Sequence, residues 1–192
     1  MSHSDDNGLI LPPKIAYKQV VIIPIYKDDN RDKVLDYCHN LKKQLEEQSF
    51  EWNKVWVLMD DSAGWPGQRF WNNVRKWLPV ILQVGGKEVE NKEVSVTTRN
   101  YLEDKHTAPA ERIVKNIHNT LESIQENIYN KALQFRNENI TEIADIDAFK
   151  EHFGIENPSF TICYSDPEVN NDREILLKEL KATARCIPFE FN

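Results

Sequence analysis

Gln19-Val20-Val21-Ile22-Ile23-Pro24-Ile25 is an almost unbroken β-branched run, and its reading decides the fold. A strand with one wet face alternates apolar and polar residues, whereas this run offers little to water on either side. It predicts a strand buried on both faces, inside a sheet covered by helices. Working outward, residues 31–48 place Val34, Leu35, Cys38, Leu41 and Leu45 at helical spacing, with Lys, Glu and Gln opposite. Val55-Trp56-Val57-Leu58-Met59 is a second buried strand, closed by Asp60-Asp61, and Gly64-Trp65-Pro66-Gly67 is a turn cluster. A short helix rich in aromatic and polar residues is expected from Gln68 to Trp77. Pro79-Val80-Ile81-Leu82-Gln83-Val84 then ends at Gly85-Gly86, and Val94-Ser95-Val96-Thr97-Thr98 alternates like a half-exposed strand. Strands alternating with helices give an α/β domain with a parallel or mixed sheet flanked by helices.

On the amino-terminal side, Leu9-Ile10-Leu11-Pro12-Pro13 ends in a double proline that continues neither a helix nor a central strand, so residues 1–16 read as an extended linker. On the other side, Ile113, Ile117, Leu121, Ile124, Ile128, Ala132 and Phe135 recur at steps of three and four and predict a long amphipathic helix. A helix (143–153), a strand (160–164), a helix (173–180) and a last strand (185–189) follow. The expected organisation is a linker at 1–16, an α/β domain at 17–107, and the long helix with a small α+β domain at 108–192.

A chain of 192 residues suffices for one ordinary core plus an appendage. No apolar run approaches the roughly 18–20 residues that cross a bilayer, and the first residues lack a signal-peptide pattern, so a cytoplasmic protein with no membrane partner is expected. Cys38, Cys163 and Cys186 form no CxxC pair and read as reduced thiols. The net charge of −7 argues against indiscriminate coating of nucleic acid, which rests on many Lys/Arg–phosphate contacts. Residues 17–105 nevertheless balance 14 basic against 14 acidic side chains, while residues 106–192 carry 9 against 15, so RNA contacts are expected in the first region.

Gly85-Gly86-Lys87 is no phosphate loop, because the four intervening residues and the Ser/Thr after lysine are missing; a tight turn after a strand accounts for it. Asp60 and Asp61 are read as turn or cap residues, with only one able to enter a given site. The five histidines show no metal-ligand spacing, and Ser62, Ser95 and Ser165 lack a nucleophile-elbow setting. The segment 65–77 is richer: Trp65, Phe70, Trp71 and Trp77 mix with Gln68, Arg69, Asn72, Asn73, Arg75 and Lys76. Aromatic faces stack on unpaired bases, Asn and Gln read base edges, and Arg and Lys hold phosphate. The same residues also suit an amphipathic helix whose aromatics are core.

Three stretches resemble a known family. Residues 3–16, His-Ser-Asp-Asp-Asn-Gly-Leu-Ile-Leu-Pro-Pro-Lys-Ile-Ala, are similar to the H-G-D-D-x-G-L-x-L-P-P-x-x-A segment of archaeal/eukaryotic-type prolyl-tRNA synthetases. Gln19 to Tyr26 resembles the first strand of that family's anticodon-binding domain, and Arg185-Cys186-Ile187-Pro188-Phe189 its R-C-I-P-F strand. The resemblance implies a domain that binds the anticodon stem-loop of tRNA for proline, followed by a C-terminal domain. It also implies a homodimeric parent enzyme that adenylates proline with ATP and Mg²⁺ through class II motifs lying before Met1. No catalytic residue and no cofactor is then expected in this segment.

Pro66-Gly67-Gln68-Arg69-Phe70 resembles the family's P-G-W-K-F, after which the family carries a glutamate, a G-x-P-x-R and a G-x-x-D. Here those positions hold Val74, Trp77, Ile81 and Glu88, so two polar anticodon readers are apolar. Arg99 and Lys105 match the basic residues of a further R-D-x-x-x-K stretch. The implied tRNA-binding set is Arg69, Asn72, Asn73, Lys87, Glu88, Arg99 and Lys105, presented on one face, with Trp65 and Trp71 as stacking platforms. Cys163 matches the first family zinc ligand and Glu168 stands at the second, so no metal is expected. The alternative is a paralogous module with a protein-interaction or general RNA-binding surface, served by Trp77 and Ile81.

Overall fold

The computed structural model describes residues 3–156, 158–164 and 170–185. It begins with an antiparallel pair, β1 (Ser4–Asp5) and β2 (Gly8–Leu9), and a 3-10 turn at Pro13–Ile15. β3 (Val20–Pro24) and α1 (Arg31–Glu46) follow, then a small hairpin of β4 (Ser49–Phe50) and β5 (Asn53–Lys54). Next come β6 (Val57–Met59), α2 (Pro66–Arg75), β7 (Val80–Val84), α3 (Gly86–Asn91), β8 (Glu93–Thr98) and β9 (Tyr101–Pro109). α4 (Ala110–Glu138), β10 (Ile140–Glu142), α5 (Ile146–Phe153), β11 (Phe160–Ile162) and α6 (Asn170–Glu179) complete the described elements.

The main sheet has the order β6-β3-β7-β8-β9; β3 pairs in parallel with β6 and β7, and β8 and β9 run antiparallel. The fold is therefore α/β with a mixed five-stranded sheet flanked by helices, and the β-branched run lies inside it. Its side chains divide by parity. Val20 and Ile22, with Leu82, Val84, Val94 and Val96, meet Cys38, Leu41 and Leu45 of α1 and Ile117, Leu121 and Ile124 of α4 in the larger core. Val21, Ile23 and Ile81 meet Val74 and Leu78 in a smaller core under α2. A fully buried Val or Ile contributes roughly 1.5–3 kcal/mol, so the central strand is secured from both sides. Burial pushes the Cys38 thiol up to about 12, which keeps it protonated and inert.

The described residues form two compact units that divide between Ala132 and Leu133, inside α4. The apolar stripe of α4 from Val114 to Ile128 is buried in the first unit. In the second unit, β10 and β11 pair in parallel, the Asp145 side chain caps α5 by accepting from Ala148 N–H at 2.9 Å, and the Phe149 and Phe153 rings lie 4.7 Å apart. Ser165, Glu168, Cys186 and all but the first residue of the strand expected at 185–189 lie outside the described residues; Cys163 is exposed.

Two expectations change. The linker at 1–16 is not simply extended: Arg99, wholly buried, donates to both Asp5 carboxylate oxygens at 2.6 and 2.7 Å and to Gly8 O at 2.8 Å, fastening β1 and β2 to the end of β8. β9 went unread because Tyr101-Leu102-Glu103-Asp104-Lys105-His106 has no apolar alternation, and an edge strand rich in charge is a common protection against stray pairing. At the end of α2, Trp77 N–H bonds to Val74 O at 2.9 Å and Leu78 N–H to Asn73 O at 3.4 Å, a reversal that places Trp77 at φ 62°. A tryptophan in that left-handed region bears about 1–2 kcal/mol of backbone strain.

Candidate nucleic-acid interface

β3, β6 and β7 end on one side of the sheet, at Pro24, Met59 and Val84, and open α/β sheets take their ligands beyond such carboxyl ends. The loops that leave there start from fixed points: Ile25 N–H bonds to Val84 O at 2.7 Å, and Asp60 N–H to Ile22 O at 2.9 Å.

After β7 the chain does not make a mere tight turn. Gly85 is the residue before α3, and Glu88 Oε2 accepts from Gly85 N–H at 2.9 Å, closing the helix start. A side chain at Gly86 would bring its Cβ to 2.9 Å from Asn30 Nδ2, so the glycine permits α3 to begin against the start of α1. Asn30 Oδ1 in turn accepts from Lys27 N–H at 2.8 Å. Beyond β3, the half-buried Tyr26 donates its hydroxyl to Asp61, and the Arg31 guanidinium lies over the Tyr26 ring at 5.6 Å.

Beyond β6, Asp60 points inward and Asp61 outward, as adjacent positions must. Asp60 accepts from Ser62 N–H at 3.2 Å, from Ser62 Oγ at 2.6 Å and from the Asn73 amide. Burial alone would raise its pKa, but these donors together hold it below the usual carboxylate range. Arg69 donates to Asp60 O at 2.9 Å and Pro24 O at 2.7 Å, tying together the ends of β6 and β3. Lys105 Nζ donates to Gln83 Oε1 at 2.7 Å, on β7 near the same end.

Of the expected RNA-facing set, Asn72, Lys87 and Lys105 are exposed, and Glu88 is half-buried. Trp65 is 82% exposed where the loop enters α2; Trp71 is 46% exposed and stands edge-on to Phe70. Three placements are corrected. Arg69 and Asn73 are buried: Arg69 donates to Pro24 O and Asp60 O, and the Asn73 amide donates to the Asp60 carboxylate and to Arg69 O. Arg99 is buried at the opposite end of the sheet, where its backbone N–H bonds to Pro79 O. Composition could not separate these from surface residues, because arginine and asparagine are both RNA-binding residue types. Val74 and Ile81, both wholly buried, lie in the same smaller core. Tyr26 and Arg31 were missed, and Asp61 was read only as a turn or cap residue; the polar loop directly after a buried parallel strand was the available signal.

The Arg99 hydrogen bonds hold Asp5 below its ordinary value, and Asp60 is lowered likewise. Both folded pKa values lie below the unfolded ones, so the unfolded chain binds more protons in that window. Their stabilisation is complete above about pH 5 and drains away as pH falls through about 4 and below. Melting temperatures measured down the acid limb should fall less steeply in Asp5→Asn than in the parent chain; an unchanged slope would contradict the assignment.

Against this geometry, a family model described as anticodon binding domain matches residues 19–120, a little over half of the 192-residue chain. The proline–tRNA ligase of Bacteroides fragilis is 40% identical over 192 residues, covering 99% of this chain and 37% of that protein. That of Bdellovibrio bacteriovorus is 36% identical, covering 99% and 39%. A crystal structure of prolyl-tRNA synthetase from Cryptosporidium parvum, complexed with L-proline and AMP, superposes with a TM-score of 0.84 at 28% identity, covering 98% of this chain and 38% of that one. The chain thus spans under two fifths of the length of these relatives. The matched span runs from the strand β3 through the three loops at the sheet's carboxyl end and into α4, and on that ground the chain belongs to the anticodon binding domain family.

Proposed function

We propose that the chain is the anticodon-binding segment of a proline–tRNA ligase and takes the anticodon stem-loop of tRNA for proline at the carboxyl ends of β3, β6 and β7. The observation that carries this is the family match over residues 19–120; within it, Glu88 stands where the G-x-x-D resemblance puts an acidic anticodon reader. Glu88 Oε2 is held by Gly85, and Oε1 has no protein donor among the described residues, so it is left to accept from the Watson–Crick edge of a guanine. Lys87 and Lys105 supply phosphate contacts from the same end.

The H-x-D-D-x-G-L-x-L-P-P segment and the likeness to the Cryptosporidium parvum enzyme support an archaeal/eukaryotic type, in company with bacterial relatives. On this reading ATP, Mg²⁺, catalysis and a homodimer contact belong to the intact parent, which acts in the cytoplasm. The second unit folds without metal, since Cys163 and Glu168 do not make up the closed four-ligand site that structural zinc requires. A protein-interaction surface built on Trp77 and Ile81 loses its second member, because Ile81 is core.

The test is a titration of anticodon stem-loops bearing the proline triplet and a scrambled one. Glu88→Ala should compress the preference between them by about tenfold, the lower end of what a well-placed base contact discriminates. Lys105→Ala should weaken both alike and reduce the salt slope by about 0.7. Absence of binding by the parent chain at low salt would end the anticodon reading.

A further inference from the structure

We propose that Arg31, laid on the ring of Tyr26, is a stacking platform for one unpaired base of the bound RNA, near the start of the helix that carries Glu88. This rests on the anticodon reading above. Arg31 is exposed, and its guanidinium lies over the Tyr26 ring at 5.6 Å from the centroid and hydrogen-bonds Tyr26. Asp61 and Asp32 also attract it, with no carboxylate within ion-pair distance among the described residues. A planar guanidinium held against an aromatic ring presents a flat cationic surface, one of the ways proteins stack splayed-out RNA bases.

The support under it is fixed. Tyr26 packs against the larger core and is anchored at its hydroxyl by Asp61, which restrains the ring from both ends. The platform lies near the start of the helix that carries Glu88: the amide of Asn30, the residue before Arg31, is close enough to Gly86 that a Cβ there would come within 2.9 Å of it. Trp65 compares poorly: it is 82% exposed and its ring has neither a ring contact nor a hydrogen bond among the described residues, so it must lose more freedom on stacking. Arg31 thus contributes the plane, and Tyr26 and Asp61 position it.

The experiment uses the whole chain and a set of proline anticodon stem-loops in which each loop nucleotide in turn is made abasic. With the parent chain, one abasic position should weaken binding about tenfold, within the range of a single stacked base. In Arg31→Ala the intact stem-loop should bind about tenfold more weakly, and that abasic position should no longer matter. Arg31→Lys should not restore binding, since it keeps the charge and lacks the plane. Thermal melts check that Arg31→Ala folds like the parent. Rescue by lysine, or no effect of Arg31→Ala while Glu88→Ala still shifts base preference, overturns the platform and leaves the anticodon reading standing. No binding by the parent chain removes both.

Discussion

Replacing Asp5 by alanine is expected to lower the unfolding free energy by about 3 kcal/mol, near the bottom of the range for breaking a buried ion pair from one side. Arg99 has no exposed surface, and its guanidinium directs NH1 and NH2 into the Asp5 carboxylate and NH2 also into Gly8 O. Without Asp5 a cation is stranded inside the protein with one carbonyl partner, a loss far beyond that of a surface pair, whose median is about 0–1 kcal/mol. Asp5 itself is partly exposed, so water enters on its side and keeps the loss from going higher. Asp5→Asn, which retains an acceptor of the same shape, should fall between. Urea denaturation measures both; a shift in midpoint worth under 1 kcal/mol for Asp5→Ala would mean that β1 and β2 are only loosely attached.

Ile81→Arg should be still more damaging. It introduces the arginine implied by the G-x-P-x-R resemblance, yet Ile81 is wholly buried with Val21 and Ile23 of β3, Val74 of α2 and Leu78. An unpaired guanidinium there costs about 3 kcal/mol or more, and overpacking adds to it. Val74→Glu alone is damaging for the same reason. The two positions lie in one core, so Val74→Glu combined with Ile81→Arg should recover about 1–3 kcal/mol relative to the sum of the single losses. A double-mutant cycle on unfolding free energies reads this coupling. If Ile81→Arg is tolerated within about 0.5 kcal/mol, as a surface site would be, that face of β7 is open to solvent and the apolar pair is not a packed unit.

This apolar pair shows why the fold was more legible than the site. The central strand was readable because Val20 to Ile23 satisfy two cores at once, and no polar residue interrupts them. α1 and α4 were readable because burial on one side of a helix imposes a period on the sequence. β9 escaped because an edge strand answers to charge and pairing rather than to burial. The site was harder, since Arg69, Asn73 and Arg99 are the residue types RNA interfaces use, and only their partners show that they serve the fold. Pro24 O, Asp5 and Gly8 O come from segments 45 to 94 residues away in the chain, and no local pattern announces them. Glu88 was legible by likeness alone; its role in closing α3 depends on Gly85 three residues before it.

The fastening of Asp5 by Arg99 also bears on the order of assembly. The two residues are 94 apart in sequence, and closing so long a loop in an unstructured chain costs on the order of 4 kcal/mol in chain entropy. Once β3 has joined β7 and β8, only the 14 residues between Asp5 and Val20 remain free, and the same closure becomes much easier. The segment that carries β1 and β2 is therefore among the last to be fixed. A contact made that late lies on the native side of the folding barrier, so its strength sets how long the finished domain holds together and leaves the speed of its formation almost untouched.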